Sequence, residues 1–460
     1  MFKEKRMIPK RQMGRTGESA AILGFGCMRL PLKGPRPEDI DLDTARGMLR
    51  TAIDRGVNYV DTAYPYHGSA RDQGGASELL VADALSDGYR ERVLLATKLP
   101  TWLVEKRSDM DKFLDEQLKR LGVSRIDFYL AHNLNSSVWD KLESLGLGEF
   151  MDSAVKDGRV RFPAFSFHDN FALFERVVKS HDWAMGQIQY NYLDEDFQAG
   201  RRGLRLAASR GMAVVVMEPL RGGFLVDHVP PGPREILSKA RPDWSLPAWG
   251  FHWLWNQPEV SVVLSGMTRP PQVLENLDLA GAWTDGKVRE ADQKAVSEVR
   301  QYFESRMRTT CTSCGYCLPC PSGVDIPKNL GFLNQYHLFD AQEARDKCKY
   351  FYGIQVDGPE RASNCVGCQE CLEKCPQHIA IPDFLERTAE IYSSAGRPGP
   401  DRTGGGKGRP GASRRGRPPV RSGRAPAGRR LGSVWSFCGR SSTRGTPVVD
   451  YLTQPGRGGT

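Results

Sequence analysis

The chain has 460 residues, 40% of them hydrophobic and 26% charged, with a formal net charge of +9. That length supports a full core and two or three domains, and no apolar run reaches the ~18 residues that a membrane span needs. The opening MFKEKRMIPK is charged where a secretory signal would be apolar, so a cytoplasmic protein with no membrane partner is expected.

From about residue 17 to residue 290, short apolar runs alternate with amphipathic stretches. Strands are predicted at Ala21–Gly26, Val57–Thr62, Val93–Lys98, Ile126–His132, Val160–His168, Ala184–Asn191, Ala213–Glu218 and Val260–Gly266. Most are nearly continuous in apolar residues, as parallel strands covered on both faces should be. Between them, Leu42–Gly56 places Ala45, Met48, Leu49, Ala52 and Ile53 on one helical face. Asp109–Gly122 does the same with Met110, Phe113, Leu114, Leu118 and Leu121, and Gly122 is a helix stop. Eight strand–helix units in this length predict an α/β fold, a (β/α)8 barrel. A doubly wound sheet is the rival, but Gly24-Phe25-Gly26 lacks the third glycine of a dinucleotide-binding turn.

Residues 1–290 are therefore read as the barrel, 291–310 as a linker helix and 311–394 as a small, mainly helical cysteine-bearing module. Within that module, helical pattern runs from Pro327 to Tyr350 and again from Pro382 to Tyr392. Residues 395–460 hold 14 Lys and Arg against 2 Asp and Glu, with 16 Gly and 8 Pro. They cannot bury enough apolar surface to offset their ordering entropy and are read as a disordered basic tail. Without the tail the net charge is −3, so a nucleic-acid partner is not expected.

Active sites of such barrels lie where the strands end at the carboxyl face. There the sequence delivers Asp61 and Tyr66 after the second strand, Lys98 at the end of the third and His132 at the end of the fourth. A tyrosine hydroxyl titrates near ~10, and a neighbouring ammonium lowers that value. A carboxylate can hold the ammonium, and a histidine can hydrogen-bond a substrate oxygen. This set can protonate a carbonyl oxygen while a hydride reaches the carbon.

The eight grouped cysteines, of 11 in the chain, form two runs. Cys311, Cys314, Cys317 and Cys320 precede Pro321; Cys365, Cys368, Cys371 and Cys375 precede Pro376. The second run has the C-x2-C-x2-C-x3-C-P spacing in which three thiolates hold one cubane and the fourth crosses to the other. By that arrangement Cys311, Cys314, Cys317 and Cys375 hold one 4Fe-4S cluster, and Cys365, Cys368, Cys371 and Cys320 hold the second. Four-thiolate zinc sites are the alternative, but they set two C-x2-C pairs well apart. Of the remaining cysteines, Cys27 is read as barrel core, and Cys348 and Cys438 are left without a role.

The D-T-A-x-x-Y run at Asp61–Tyr66, with Lys98 and His132, resembles the aldo-keto reductases. The cysteine runs extend the resemblance to the branch fused to a C-terminal ferredoxin-type domain with two 4Fe-4S clusters. The resemblance implies Tyr66 as general acid, Lys98 as its modulator, Asp61 as the group orienting Lys98 and His132 as the carbonyl-positioning group. It also implies an NADP(H) or NAD(H) cofactor. Ser166 and Gln187 would bind its carboxamide, Leu220, Arg221, Gly222 and Gly223 would lie beside its pyrophosphate, and Gly266, Gln272, Glu275 and Asn276 would hold its adenosine end. NADPH is the family default. Here Met217 stands where many members stack an aromatic residue, and only Arg269 lies near Gln272 to meet a 2′-phosphate, so the choice between NADPH and NADH stays open.

Three functions follow. The first is NAD(P)H-dependent reduction of a small-molecule aldehyde or ketone. The second is electron transfer through the clusters to a redox protein partner. The third is a cofactor-binding regulatory role with structural clusters.

Overall fold

The structure, a computed structural model, describes residues 7–393 except 71, 285, 312–314 and 376. The predicted tail, Cys314 and Cys438 lie outside the described residues.

Two short strands, β1 (Lys10–Gln12) and β2 (Ser19–Ala21), pair as an antiparallel hairpin. Eight further strands follow: β3 (Leu23–Gly26), β4 (Tyr59–Asp61), β5 (Leu94–Leu99), β6 (Ile126–Leu134), β7 (Val160–Phe167), β8 (Met185–Gln189), β9 (Ala213–Met217) and β10 (Val262–Gly266). They are all parallel and close into a barrel in chain order, with β10 pairing back onto β3 through Val263↔Leu23 to Gly266↔Gly26. Every predicted strand is present, several a residue or two shorter.

Side chains fill the barrel interior. Tyr59, Leu94, Phe128, Leu130, Met185, Val215 and Leu264 pack together there, and Met13 and Ala20 of the hairpin join them. The hairpin thus plugs the end at which the strands begin, leaving the carboxyl ends for chemistry. Outside, helices bury their apolar stripes on the strands. Leu42–Asp54 buries the five residues expected of it. Arg107–Leu121 stops at Gly122, which takes the left-handed conformation (φ 65°) that glycine adopts without a Cβ penalty. On this helix Gln117 is fully buried and Leu118 only partly, because Gln117 bonds Glu78 Oε1 (2.6 Å) and the Lys98 carbonyl (3.1 Å).

The predicted linker contains a helix, Glu290–Glu304. Its Ala295, Val296, Val299 and Phe303 enter one apolar cluster with Phe224, Leu225, Leu237 and Trp249 of the barrel loops and with Leu338, Phe339, Ala344 and Cys348 beyond it. The single helical pattern read at Pro327–Tyr350 is two helices, Ile326–Leu338 and Gln342–Gln355. Phe339 breaks them by taking extended backbone, and its ring sits 4.9 Å from that of Phe224. The last helix is Ile381–Tyr392. Among the described residues, no helix is long and apolar enough to cross a membrane.

Candidate active site and cysteine module

Strand ends bring the four predicted catalytic side chains to one rim. Lys98, on β5, is fully buried, and its Nζ lies 2.7 Å from Asp61 and 2.7 Å from the Thr62 carbonyl. Its Nζ also lies 4.8 Å from the centre of the Tyr66 ring. Burial alone would push the Lys98 ammonium down, but Asp61 and Tyr66 more than offset it and hold the ammonium above its usual value. Burial lifts the Asp61 carboxyl against the pull of Lys98. For Tyr66 the outcome differs from the sequence reading. Lys98 does favour the phenolate, but withdrawing the hydroxyl from water costs the charged form more, and the net shift is upward.

His132 faces Tyr66 with ring centres 5.9 Å apart, and Trp102 stands 5.3 Å from its other side. The pairing of β6 with β7 shifts register between Ala131 and Leu134, and Asn133 takes a positive φ of 58°. Bulges of this kind re-aim side chains beside active sites. His67 ties the Tyr66 loop down: Nε2 accepts from the Leu30 N–H (3.0 Å), so Nδ1 donates to the Pro37 carbonyl (2.8 Å). Of the other aromatics near these loops, Trp139 and Phe167 are buried in the core, and Trp244 packs on Trp249 and His252.

The residues matched to a nicotinamide cofactor follow around the same rim. Ser166 Oγ accepts from the Asn133 N–H at 2.8 Å. Gln187 is buried with Nε2 3.7 Å from Met217 Sδ, and its Oε1 has no protein partner, so it is free to meet a carboxamide. Gly222 and Gly223 both take positive φ (64° and 90°), opening the loop after Leu220 for close approach by a ligand. Arg221 lies 3.6 Å from Asp194, and its Nη1 is buried without a partner among the described residues. Gly266 ends β10 beside Arg29. Asn276 Nδ2 donates to Ser265 Oγ (3.0 Å) and Glu275 is exposed. Gln272 caps its own helix, accepting from the Thr268 and Arg269 N–H groups at 2.8 and 3.2 Å. Of these residues, Gln187 and Arg221 keep a buried polar atom without a partner among the described residues, while Ser166, Gln272 and Asn276 are bonded within the protein.

In the module, Cys317, Cys320, Cys365, Cys368 and Cys371 line one cavity. Four of these five are the set expected from the crossed spacing, while Cys317 was expected in the other, and the thiols lie close enough for Cys365, Cys368 and Cys320 each to raise Cys371, although burial raises it most. Among the described residues no three His, Cys, Asp or Glu side chains close on a single metal ion. Cys311, Cys317 and Cys375 lie in the same apolar cluster as Cys371.

Two buried asparagines escaped the sequence reading. Asn334 accepts from the Arg308 and Thr309 N–H groups (2.8 and 2.9 Å) just before Cys311. Asn329 accepts from the Ala362 N–H (2.9 Å) and the Tyr352 hydroxyl (2.7 Å), and donates to the Asp325 and Glu360 carbonyls. One helix thus holds the entry to both cysteine runs. A polar residue on the buried side of an apolar helical stripe was the available signal. Cys348 is buried against the barrel loops, where burial pushes its thiol up to about 12.

Comparison with known proteins agrees with this geometry. The family description Aldo/keto reductase family matches residues 22–294, and 4Fe-4S dicluster domain matches residues 310–380. The 6-dehydroglucose reductase of Novosphingobium aromaticivorans is 28% identical over 291 residues, 58% of this chain and 89% of that protein. The NADH-specific methylglyoxal reductase of Escherichia coli is 24% identical over 320 residues, 59% of this chain and 93% of that one. The holo form of an aldo-keto reductase from Bacillus halodurans shares the fold, with a TM-score of 0.52 at 23% identity over 64% of this chain and 96% of that one.

Proposed function

Because the chain belongs to the aldo/keto reductase family and is an oxidoreductase with a 4Fe-4S dicluster domain behind its barrel, we propose that it reduces a small aldehyde or ketone with NADPH or NADH, using Tyr66 as general acid. The observation that carries this reading is the buried Asp61–Lys98 pair with its ammonium 4.8 Å from the centre of the Tyr66 ring, and His132 facing the same ring. When bound, the reduced nicotinamide supplies a hydride. His132 then hydrogen-bonds the carbonyl oxygen, and Tyr66 gives that oxygen its proton. Lys98 stabilises the phenolate left behind, and Asp61 keeps Lys98 charged. Trp102 shields the His132 side from water. Two relatives are named for carbonyl compounds, 6-dehydroglucose and methylglyoxal, which supports a small polar substrate, and the second is named NADH-specific, which keeps both nucleotides in the test.

The test is a screen of small aldehydes and ketones with each nucleotide, followed by Tyr66→Phe on the best substrate. Removing a positioned general acid costs about 10²–10⁴ in rate, and nucleotide binding should be retained. A fully active Tyr66→Phe protein overturns the mechanism.

A specific observation favours a second reading, electron transfer through two 4Fe-4S clusters held by the eight cysteines. A Cβ on Gly315, within the first cysteine run, would lie 3.8 Å from Asn170 Nδ2, so that run sits beside the loop leaving β7. A 4Fe-4S cluster exchanges single electrons, whereas nicotinamide carries a pair, so this reading requires a redox protein partner that divides them. An anaerobic NADPH titration with iron and sulfide counts decides it. Near eight irons with bleaching favours electron transfer, and near eight without bleaching leaves the carbonyl reductase.

A further inference from the structure

We propose that the iron–sulfur module supplies a cation, Lys347, to the diphosphate of the nicotinamide cofactor, so that the cofactor is gripped by both domains. The inference rests on reading Leu220–Gly223 as the diphosphate loop.

Lys347 lies on the module helix Gln342–Gln355, and its Nζ donates to the Gly222 carbonyl at 2.6 Å. The ammonium also sits 4.8 Å from the centre of the Phe224 ring. Its helix is fixed there, because Ala344 and Cys348, with Leu338 and Phe339 just before them, pack into the cluster containing Phe224 and Leu225.

Two barrel cations converge on the same turn. Arg29, in the turn after β3, flanks both glycine positions: a Cβ on Gly222 would lie 3.2 Å from its Nη2 and one on Gly266 would lie 3.3 Å from its Cδ. Arg221 brings the buried Nη1 that has no partner among the described residues. The neighbouring carboxylates are partly committed. Glu218 pairs with Arg29 at 3.2 Å, and Asp194 accepts from Gln189 and Asn191 at 3.0 and 2.8 Å. Asp227 is exposed beside Gly223.

Lys347 has no carboxylate within 4.0 Å among the described residues, and one carbonyl satisfies one of its three donors. Burial, and then Arg29, push its ammonium down, with Asp227 and Glu218 opposing. A multivalent anion on the glycine turn would supply the missing counter-charge, in the way clustered cations hold phosphates. A plain docking latch needs only the carbonyl bond and has no use for three cations around two glycines.

The experiment uses the full, cluster-loaded chain and three variants: Lys347→Met, which keeps the apolar stem on Phe224, Lys347→Arg and Arg221→Ala. Iron content and melting temperature are checked first. Dissociation constants for NADPH and NADH are then read from cofactor fluorescence, together with that of reduced nicotinamide riboside, which lacks the diphosphate. The expected result is about tenfold weaker dinucleotide binding in Lys347→Met, as for loss of one charge-assisted hydrogen bond. Lys347→Arg should restore it, and riboside affinity should stay unchanged. If Arg221→Ala weakens the dinucleotide and Lys347→Met does not, the Lys347 inference falls and the loop reading stands. If neither weakens it, the loop reading itself falls. If Lys347→Met weakens the riboside equally, Lys347 is a docking latch and the diphosphate contact is wrong. Should Met at 347 release iron, Lys347→Gln against Lys347→Arg makes the same comparison.

Discussion

Replacing Asp61 by Asn removes the counter-charge of a fully buried ammonium while keeping the shape of the site. At the observed 2.7 Å, the pair attracts by about 6 kcal/mol at an effective dielectric of about 20. The destabilisation has a lower ceiling, because Lys98 can shed its proton instead. At pH 7 that escape costs about 4.6 kcal/mol, or 1.36 kcal/mol for each of the ~3.4 pH units below an unperturbed lysine. The expected loss at pH 7 is therefore about 3–5 kcal/mol, the usual cost of orphaning a buried charge.

The pH dependence supplies the sharper check. In the native protein Lys98 is raised above its unfolded value, so its contribution is complete below about pH 10 and is lost as pH rises through the folded value. In Asp61→Asn the folded value falls below the unfolded one, and stability is instead lost as pH falls. The gap between the two proteins should shrink from roughly 4 kcal/mol at pH 7 to about 2 kcal/mol at pH 9. Urea unfolding of the cofactor-free chain measures it, with the buried barrel residues Trp139, Trp183, Trp249 and Trp255 as fluorescence reporters. A second substitution, Lys98→Met, should recover most of the loss. A gap that stays constant from pH 7 to 9, or is under about 1 kcal/mol at pH 7, refutes the buried ion pair.

With Tyr66 raised by burial, carbonyl reduction should stay level through neutral pH and decline only above about pH 10; a falling limb below pH 9 in kcat/KM contradicts this. Asn329→Leu removes the acceptor of the Tyr352 hydroxyl and the nearer acceptor of the Ala362 N–H, and an orphaned buried donor costs about 1–3 kcal/mol. Iron per chain should fall, and full iron retention would show that the asparagine is dispensable. Gly75→Ala places a Cβ 2.1 Å from the Tyr66 carbonyl oxygen, so kcat/KM should fall at least tenfold as the Tyr66 loop shifts. Gly47→Ala, on the helix Leu42–Asp54 with nothing within 4 Å, is the control and should raise stability by about 0.8–1.0 kcal/mol.

The barrel strands were legible because strands covered on both faces are apolar throughout, and each ends at the rim where its polar residues stand out. The candidate site was legible for that reason: Asp61, Lys98 and His132 are polar breaks at or near the ends of β4, β5 and the regular part of β6. The hairpin of β1 and β2 was not, since three-residue strands are too short to show a period. The burial of Gln117 was not legible, because it depends on Glu78 and Thr97, which come from other elements. Phe339 is one more apolar residue within the helical pattern, and its packing on Phe224 and Phe303, from earlier elements, marks where the helix breaks. The direction of the Tyr66 shift needed the depth of the site, which chemistry at strand ends does not disclose.

The segment read as a linker changes what fusion of the two domains means. A tether would leave barrel and module independent, each with its own core. Instead the helix Glu290–Glu304 shares one apolar cluster with barrel loops and module helices. It is also locked by Asp292, which accepts from Arg241 at 2.7 and 2.9 Å and from Arg289 at 2.8 Å. That lock grips the loops that follow β9, the same loops that carry Arg221 and the two glycines. The module therefore cannot unfold without exposing the underside of the turn proposed to hold the cofactor. Thermodynamic linkage makes the dependence mutual: whatever factor the folded module adds to cofactor affinity, bound cofactor must add to the stability of the folded module. The clusters have a consequence for the barrel whether or not an electron ever leaves them.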